Sequence, residues 1–385
     1  MFFSEHPMDS TLRLIGMIGL VLLAPISWRA LDQMFGDVEA SDASARQRSA
    51  EFVRVAEEAL GDGQDALAIV AYQNALDMQP DAENVRIPLL LAQCRVLARE
   101  PTQMTLTTAR EIQVRIRAHG LTVADAPEVG LVSALTDIME GRPSLGHADI
   151  EKTAQAHSGS ALAQFVLGES RHARGNETGA IDAYKRAAKI DPENARFHAI
   201  LGQRFHSQGK WERAESTLEE AIDRGASGRT RLLYGEALLK LNKTAQAIDS
   251  LTEAVSEMSD KRERARAQAA LGVALYRIGR PGQALNPLMK AYAATEDEQI
   301  LLNIGRSYQA LEQHDKASQV FRKALLKRPQ DGENHLLWLS SLMALGRKVT
   351  AAQVYDRMVP VFSPLQDGSA ILARARKITG LPPGE

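Results

Sequence analysis

Cysteine is almost missing from this sequence. Cys94 is the only one in 385 residues, so no intrachain disulfide can form, and a zinc or iron–sulfur site would lack its companion thiols. No cysteine follows the hydrophobic N-terminal run to carry a lipid. Aromatic residues are scarce at 5%, and this shortage beside abundant alanine and leucine points to helix rather than sheet. An excess of either charge is absent too. Lys and Arg number 46 against 48 Asp and Glu, which excludes a strongly basic chain made to bind nucleic acid or an anionic surface. No nucleotide-binding glycine loop, nucleophile elbow or HExxH occurs. What is present is ordinary for a folded protein, 44% hydrophobic and 24% charged, enough to bury a sizeable core and to exclude wholesale disorder.

The longest apolar run lies at the front. Between Arg13 and Arg29 the chain is uncharged from Leu14 to Trp28, with Leu14, Ile15, Ile18, Leu20, Val21, Leu22, Leu23, Ile26 and Trp28 as its apolar body. As a helix it covers roughly 22 Å, short of a hydrocarbon core of about 30 Å. Three readings stand: a membrane anchor over 12–28 whose flanking arginines snorkel to the interfaces, the core of a cleaved signal peptide, and a buried helix. Pro25 directly after Ala24, with Trp28 and Arg29 where small residues are wanted, disfavours cleavage. The expectation is therefore an N-terminal transmembrane helix within residues 1–35, with the bulk of the chain on the extracytoplasmic, periplasmic side. Residues 36–48 read as a linker, since Gly36 to Ala45 is rich in Asp, Ala and Ser.

Farther on, one pattern returns six times. Its alanines are Ala180, Ala214, Ala247, Ala284, Ala317 and Ala351, spaced by 34, 33, 37, 33 and 34 residues. Twelve residues upstream of the first five stand Gly168, Gly202, Gly235, Gly272 and Gly305; Leu339 precedes the sixth. Four residues downstream come Tyr184, Leu218, Leu251, Leu288, Phe321 and Tyr355, and three further on Ala187, Ala221, Ala254, Ala291, Ala324 and, breaking the series, Met358. Small residues at fixed places let two helices approach closely, and the larger apolar residue is expected to plug the gap between one hairpin and the next. Each unit reads as helix, turn, helix: Ala161 to Ala173, a turn at Gly175 and Asn176, then Thr178 to Ile190, stopped by Asp191 and Pro192. A single hairpin cannot hide its apolar faces, so the units must stack.

These positions resemble the tetratricopeptide repeat. The best matches are Leu167, Gly168, Ala180, Tyr184, Ala187 and Pro192, and again Gly305, Tyr308, Ala317, Phe321, Ala324 and Pro329; another copy with Ala68, Tyr72, Ala75 and Pro80 spans Ser49 to Ala82. The resemblance implies an all-α fold, a right-handed α-solenoid of tetratricopeptide-type helical hairpins. Between the copies the pattern degrades. Asn84 to Arg99, Thr102 to His119, Glu128 to Glu140 and His147 to His157 read as two divergent hairpins, with Pro88 and Pro127 near helix starts and Gly120 to Pro127 as the longest loop. Gly368 to Thr379 reads as a capping helix before a tail with Pro382 and Pro383. The expected organisation is an anchor or signal over 1–35, a linker over 36–48, one repeat plus two divergent hairpins over 49–160, six repeats over 161–365, and the cap and tail over 366–385.

The resemblance also implies a partner-binding groove lined by the second, fifth, ninth, twelfth and thirteenth places of each unit. The second place gives Arg196, Arg229 and Arg266, with Lys240, Arg277 and Arg306 from other places. The fifth gives Phe165, Leu232, Leu302 and Leu336, and the twelfth gives His172, His206, Tyr276 and Met343. An apolar floor beside a basic rim suits an extended or amphipathic peptide carrying acidic residues. The family's carboxylate clamp, which needs Lys and Asn on successive first helices, is absent, because the ninth places are Glu169, Gln203, Glu236, Val273, Arg306 and Ser340. Charge is unevenly spread: residues 37–160 hold 11 basic and 19 acidic side chains, net −8, and residues 161–362 hold 30 and 24, net +6. Either the halves meet different partners, or the imbalance is drift on a solvated helical surface.

His172 and His206 occupy equivalent places on neighbouring units, yet two ligands without a carboxylate or thiol are weak grounds for a metal. His147 and Glu151 share one helical face, which reads as a solvent-side contact. Asn176-Glu-Thr178 and Asn242-Lys-Thr244 fit the glycosylation sequon but read as hairpin turns. With anchor, hairpins and cap assigned, no stretch remains for a catalytic domain, and no cofactor, small-molecule substrate or nucleic acid is expected. The sequence thus points to a membrane-anchored scaffold that binds protein partners in its groove and organises an envelope complex. The alternatives are a soluble periplasmic adaptor or chaperone-like protein released by cleavage, and an enzyme's regulatory subunit.

Overall fold

A computed structural model describes residues 42–61, 65–79, 82–99, 105–122, 124, 126–226 and 228–380. The proposed anchor over 12–28 falls outside these residues; among the described residues no helix is long and apolar enough to cross a membrane. They form 19 α-helices and no strand. The chain divides into two units, residues 1–192 and 193–385.

The first unit contains α1 (Asp42–Gly61), α2 (Asp65–Met78), α3 (Glu83–Arg99), α4 (Leu106–Ala118), α5 (Pro127–Met139), α6 (Pro143–Ala156), α7 (Ala161–Ala173) and α8 (Glu177–Ile190). Helix α1 begins inside the segment read as a linker, because the Asp, Ala and Ser of 42–48 continue without Gly or Pro into the amphipathic run around Phe52 and Ala56. Helices α1 and α2 close on Ala56, Ala68, Tyr72 and Ala75, with Val85 and Leu89 of α3 completing the cluster. Helices α5 and α6 form a second hairpin and α7 and α8 a third, whereas α3 and α4 barely touch and α3 lies against α2 and, less extensively, α5. The α3–α4 pair is thus not the hairpin the sequence led us to expect. Nor is Pro88 at a helix start; it sits inside α3. Helix α4 starts later than expected because the Thr105 hydroxyl accepts the Thr108 amide at 3.1 Å and caps it.

The second unit contains α9 (Ala195–Ser207), α10 (Trp211–Asp223), α11 (Arg229–Lys240), α12 (Thr244–Glu257), α13 (Lys261–Arg277), α14 (Pro281–Thr295), α15 (Glu298–Ala310), α16 (His314–Lys327), α17 (Gly332–Ala344), α18 (Lys348–Phe362) and α19 (Gly368–Thr379). Successive pairs from α9/α10 to α17/α18 are the hairpins of the repeat, and α19 lies against both α17 and α18. It covers the last apolar face with Ile371, Leu372 and the fully buried Ala375, as a terminal cap must.

The repeat pattern is a packing rule. All six pattern alanines from Ala180 to Ala351 are 0% exposed, and each upstream glycine faces the plug residue sixteen places later. A Cβ on Gly168 would stand 2.4 Å from the Tyr184 ring, on Gly272 2.4 Å from Leu288 Cγ, and on Gly305 2.3 Å from the Phe321 ring. The plug therefore fills a cradle inside its own hairpin, not the gap between hairpins. Where leucine replaces the glycine the hairpin opens, whereas Ala56, sixteen residues before Tyr72, is small enough for α1 and α2 to close. Leu339 takes its place in α17, and α17 and α18 touch over less of their length than the other hairpins of this unit. Twelve residues before the buried Ala109 stands Leu97, and α3 and α4 splay farther. In α5/α6 the close approach is made from the second helix: a Cβ on Gly146 would stand 2.3 Å from the Ala134 carbonyl oxygen.

Each hairpin turn from α7/α8 to α17/α18 places one residue in the left-handed region, seven positions after the cradle place. Gly175 and Gly209 do this without steric cost, but Asn242 (φ 60°) and Glu312 (φ 58°) do not have that freedom. Glu312→Gly is expected to stabilise the protein by about 1 kcal/mol, read as a rise in urea midpoint. Gly272→Ala is expected to destabilise it by about 1–3 kcal/mol, and adding Leu288→Ala should cost less than the sum of the two single changes, since the small plug readmits the methyl group. Additive losses in the double-mutant cycle would remove the cradle.

Candidate protein-binding face

Consecutive first helices of the second unit, α9, α11, α13, α15 and α17, touch one another, whereas α10, α12, α14 and α16 pack on first helices rather than on each other to any like extent. Closer spacing on one side of a stack makes that side the inner one, and the first helices line it.

A polar chain crosses this side over three helices. His206 Nε2 of α9 lies 3.1 Å from Glu236 Oε2 of α11, and Arg266 of α13 donates from Nε to Glu236 Oε1 at 2.7 Å and from Nη2 to Oε2 at 2.6 Å. Burial pushes the Glu236 carboxyl up, but hydrogen bonds from His206 and Arg266, with the arginine's charge, outweigh it and hold the group below the ordinary carboxylate range. Burial likewise opposes the charge on Arg266, and Glu236 outweighs it. The His206 ring meets Trp211 edge-on with centroids 5.2 Å apart, and Lys240 Nζ stands 5.7 Å from the same indole's centroid. Farther along, Gln309 of α15 donates to Ser340 Oγ of α17 at 2.6 Å.

The expected groove residues separate into distinct groups. Phe165, Leu232, Leu302 and Leu336 are 1%, 0%, 6% and 3% exposed, so they form core rather than an open floor. Phe165 packs at 5.9 Å, tilted, against the Tyr184 ring. At Phe165, Leu232 and Leu302 the fifth place points between helices because the cradle glycine three residues on draws the second helix over it; Leu336, followed by Leu339 instead, is buried in the cluster shared with α18 and α19. His172 is hydrogen-bonded to Glu177 across its own hairpin turn in the first unit. Arg277 donates to the Leu239 carbonyl at 2.9 Å. Arg229, Lys240 and Tyr276 are exposed, and Arg196 and Arg306 are half-buried.

Other pairings also depart from expectation. His147 Nδ1 lies 2.8 Å from Ser170 Oγ, and Glu151 accepts from Arg171 and Arg174, so both residues tie α6 to α7 instead of facing solvent. Asn176 caps α8 by accepting the Gly179 amide at 3.0 Å. Among the described residues no group of three or more His, Cys, Asp or Glu side chains is placed to hold a metal. Sequence reasoning missed Trp211 and the role of Glu236. The scarcity of tryptophan, three in the chain, was the one signal for the first; the ninth-place glutamate, two helices from its arginine, gave none.

Family models described as TPR repeat and Tetratricopeptide repeat match residues 168–209, 200–262, 232–299 and 298–331. Tetratricopeptide repeats are present. Among solved structures, a MamA protein is 24% identical over 45% of this chain and 94% of its own, with a TM-score of 0.41. The Pseudomonas aeruginosa protein pilF is 21% identical over 55% and 96%, with a score of 0.44. PilW, a type IV pilus biogenesis factor, is 18% identical over 55% and 98%, with a score of 0.46. None of the curated proteins matches the sequence. A tetratricopeptide array is a scaffold for protein interactions, and such proteins bind peptides or protein partners in their groove.

The pairing across the tetratricopeptide face carries a pH signature. Because Glu236 is held below its unfolded value of about 4.3, its stabilisation is complete above that value and lost as pH falls through the folded one. In Arg266→Ala the desolvation remains while the main counter-charge is gone, so the carboxyl rises towards its unfolded value; the acid loss still sets in near that value but is smaller and ends at higher pH. The expected cost at pH 7 is about 1–2 kcal/mol, kept small by the arginine's solvent exposure. Urea unfolding between pH 7 and pH 3 measures both; identical pH profiles for the variant and the parent would contradict the pairing.

Proposed function

We propose that this chain is a membrane-held scaffold whose second unit binds a protein partner along its first-helix face and thereby organises an envelope complex of the secretion, pilus, polysaccharide-export or cytochrome-maturation type. The supporting observation is a face that is braced without being closed. His206, Glu236 and Arg266 fix three first helices against each other, while Arg229, Lys240 and Tyr276 stay exposed, Lys240 beside the Trp211 indole. Cationic and aromatic groups so arranged suit an amphipathic or extended segment with acidic residues. The membrane half of the reading rests on the uncharged run Leu14–Trp28 between two arginines, with the repeats on the extracytoplasmic side.

Two measurements test the halves separately. Full-length chain with an intact N-terminus should sediment with membranes; recovery of the intact chain in the soluble fraction would refute the anchor, and a mature N-terminus beyond Trp28 would establish the released adaptor instead. Arg229→Glu should leave helicity and melting temperature unchanged while lowering recovery of crosslinked partners from membranes by at least threefold. Equal recovery would exclude the first-helix face. Arg266→Glu is unsuitable for this purpose, since it sets a second carboxylate against Glu236 and weakens the fold itself.

A further inference from the structure

The splayed α3–α4 pair leaves a cleft of about 660 Å³ between α2, α3 and α4 in the first unit. Leu76 of α2, Leu89 of α3, and Ile112 and Val114 of α4 give it apolar walls, and Val114 is 63% exposed. Into it reaches the Arg115 guanidinium, which donates from Nη1 to Gln93 Oε1 at 2.8 Å; Gln93 is itself only 3% exposed. Among the described residues no carboxylate makes an ion pair with Arg115, and Glu111 stands one helical turn before it. Burial pulls the arginine's pKa down, while Cys94 and Glu111 act the other way. The Cys94 thiol behind it, pushed up to about 12 by burial, is protonated at neutral pH and supplies no counter-charge there. The cleft therefore holds a largely desolvated cation whose hydrogen-bond partner is neutral. Glutamine at this place holds the guanidinium in position without cancelling its charge, and a desolvated charge without a counter-ion is costly unless a ligand completes it.

We propose that this cleft binds an internal stretch of a partner polypeptide in which one Asp or Glu is flanked by aliphatic residues, its carboxylate pairing with Arg115. On α4 the lining runs from Glu111 to His119, about 12 Å at 1.5 Å per residue, with Arg115 at its middle. Three to four extended residues at about 3.3 Å each span that length, which sets the acid inside the segment and not at its end. Arg86 of α3 also lines the cleft, but Glu111 shares the wall and residues 37–160 carry net −8, so a single carboxylate fits better than an acidic cluster. The site is independent of the first-helix face of the second unit.

The test uses the full chain in detergent and a panel of acetylated, amidated pentapeptides with Glu at the centre and Leu, Ile, Val or Met at the other places, read by fluorescence anisotropy. Saturable binding is expected from Glu-centred members, at least tenfold weaker with Gln at the centre. Gln93→Glu, which keeps the hydrogen bond and neutralises Arg115 internally, should weaken it at least tenfold without lowering the melting temperature. Arg115→Gln should weaken it similarly, and Arg229→Glu should leave it unchanged. The proposal fails if Glu- and Gln-centred peptides bind alike or if Gln93→Glu binds as the parent does. It fails equally if an uncapped Gln-centred peptide, offering only its terminal carboxylate, binds as well, or if no Glu-centred member binds saturably.

Discussion

How closely a first helix of the repeat can approach its second helix is decided by one small side chain, and the hairpins from α7/α8 to α15/α16 depend on that distance. At Gly168, Gly202, Gly235, Gly272 and Gly305 the hydrogen in place of a methyl group lets the plug residue enter its cradle, with would-be contacts of 2.3 to 2.6 Å that no real Cβ tolerates. The plug then meets atoms on all sides, and dispersion, weak for any single pair, is collected over a whole side chain. Tyr184, Leu218, Leu251, Leu288 and Phe321 are 0% exposed for this reason. Leucine at Leu339 and Leu97 removes the cradle, and the corresponding hairpins open.

The two openings are handled differently. In the second unit α19 lies on α17 and α18 and covers the gap with Ile371, Leu372 and Ala375. In the first unit α3 packs on α2 and α5 rather than on α4, and the wedge between α2, α3 and α4 stays open to solvent, lined by Arg115 and Gln93. A lost glycine is thus a closed end in one place and a cleft in the other. The difference lies in whether a following helix has an apolar face to offer.

On the first-helix face of the second unit, charge is used to brace the array. Glu236 joins His206 and Arg266, thirty residues away on either side, so the relative placement of α9, α11 and α13 depends on one partly buried carboxylate. A surface braced in this way loses little freedom when a partner binds, which favours affinity. Trp211, between the His206 ring edge and the Lys240 ammonium, adds a rigid apolar element at one side of that brace.

Much of the architecture was legible in the sequence because it is local and periodic. Each alanine and glycine of the pattern acts on a helix one turn of chain away, so spacing alone specified the hairpins of 161–365, and the run Gly368 to Thr379 was recognisable as the cap it forms. The splay of α3 from α4 was not legible as such, although Leu97 in the cradle position held its cause. Side-chain destinations were decided only by the tertiary structure. Phe165, Leu232 and Leu302 go inward because the second helix is drawn over them, Leu336 because α18 and α19 close round it, and Arg266 is held because Glu236 stands on the neighbouring first helix. The periodic sequence states which residues are small enough to let helices meet. Which polar groups then face one another depends on stacking geometry that brings together positions thirty residues apart, and no local spacing encodes it.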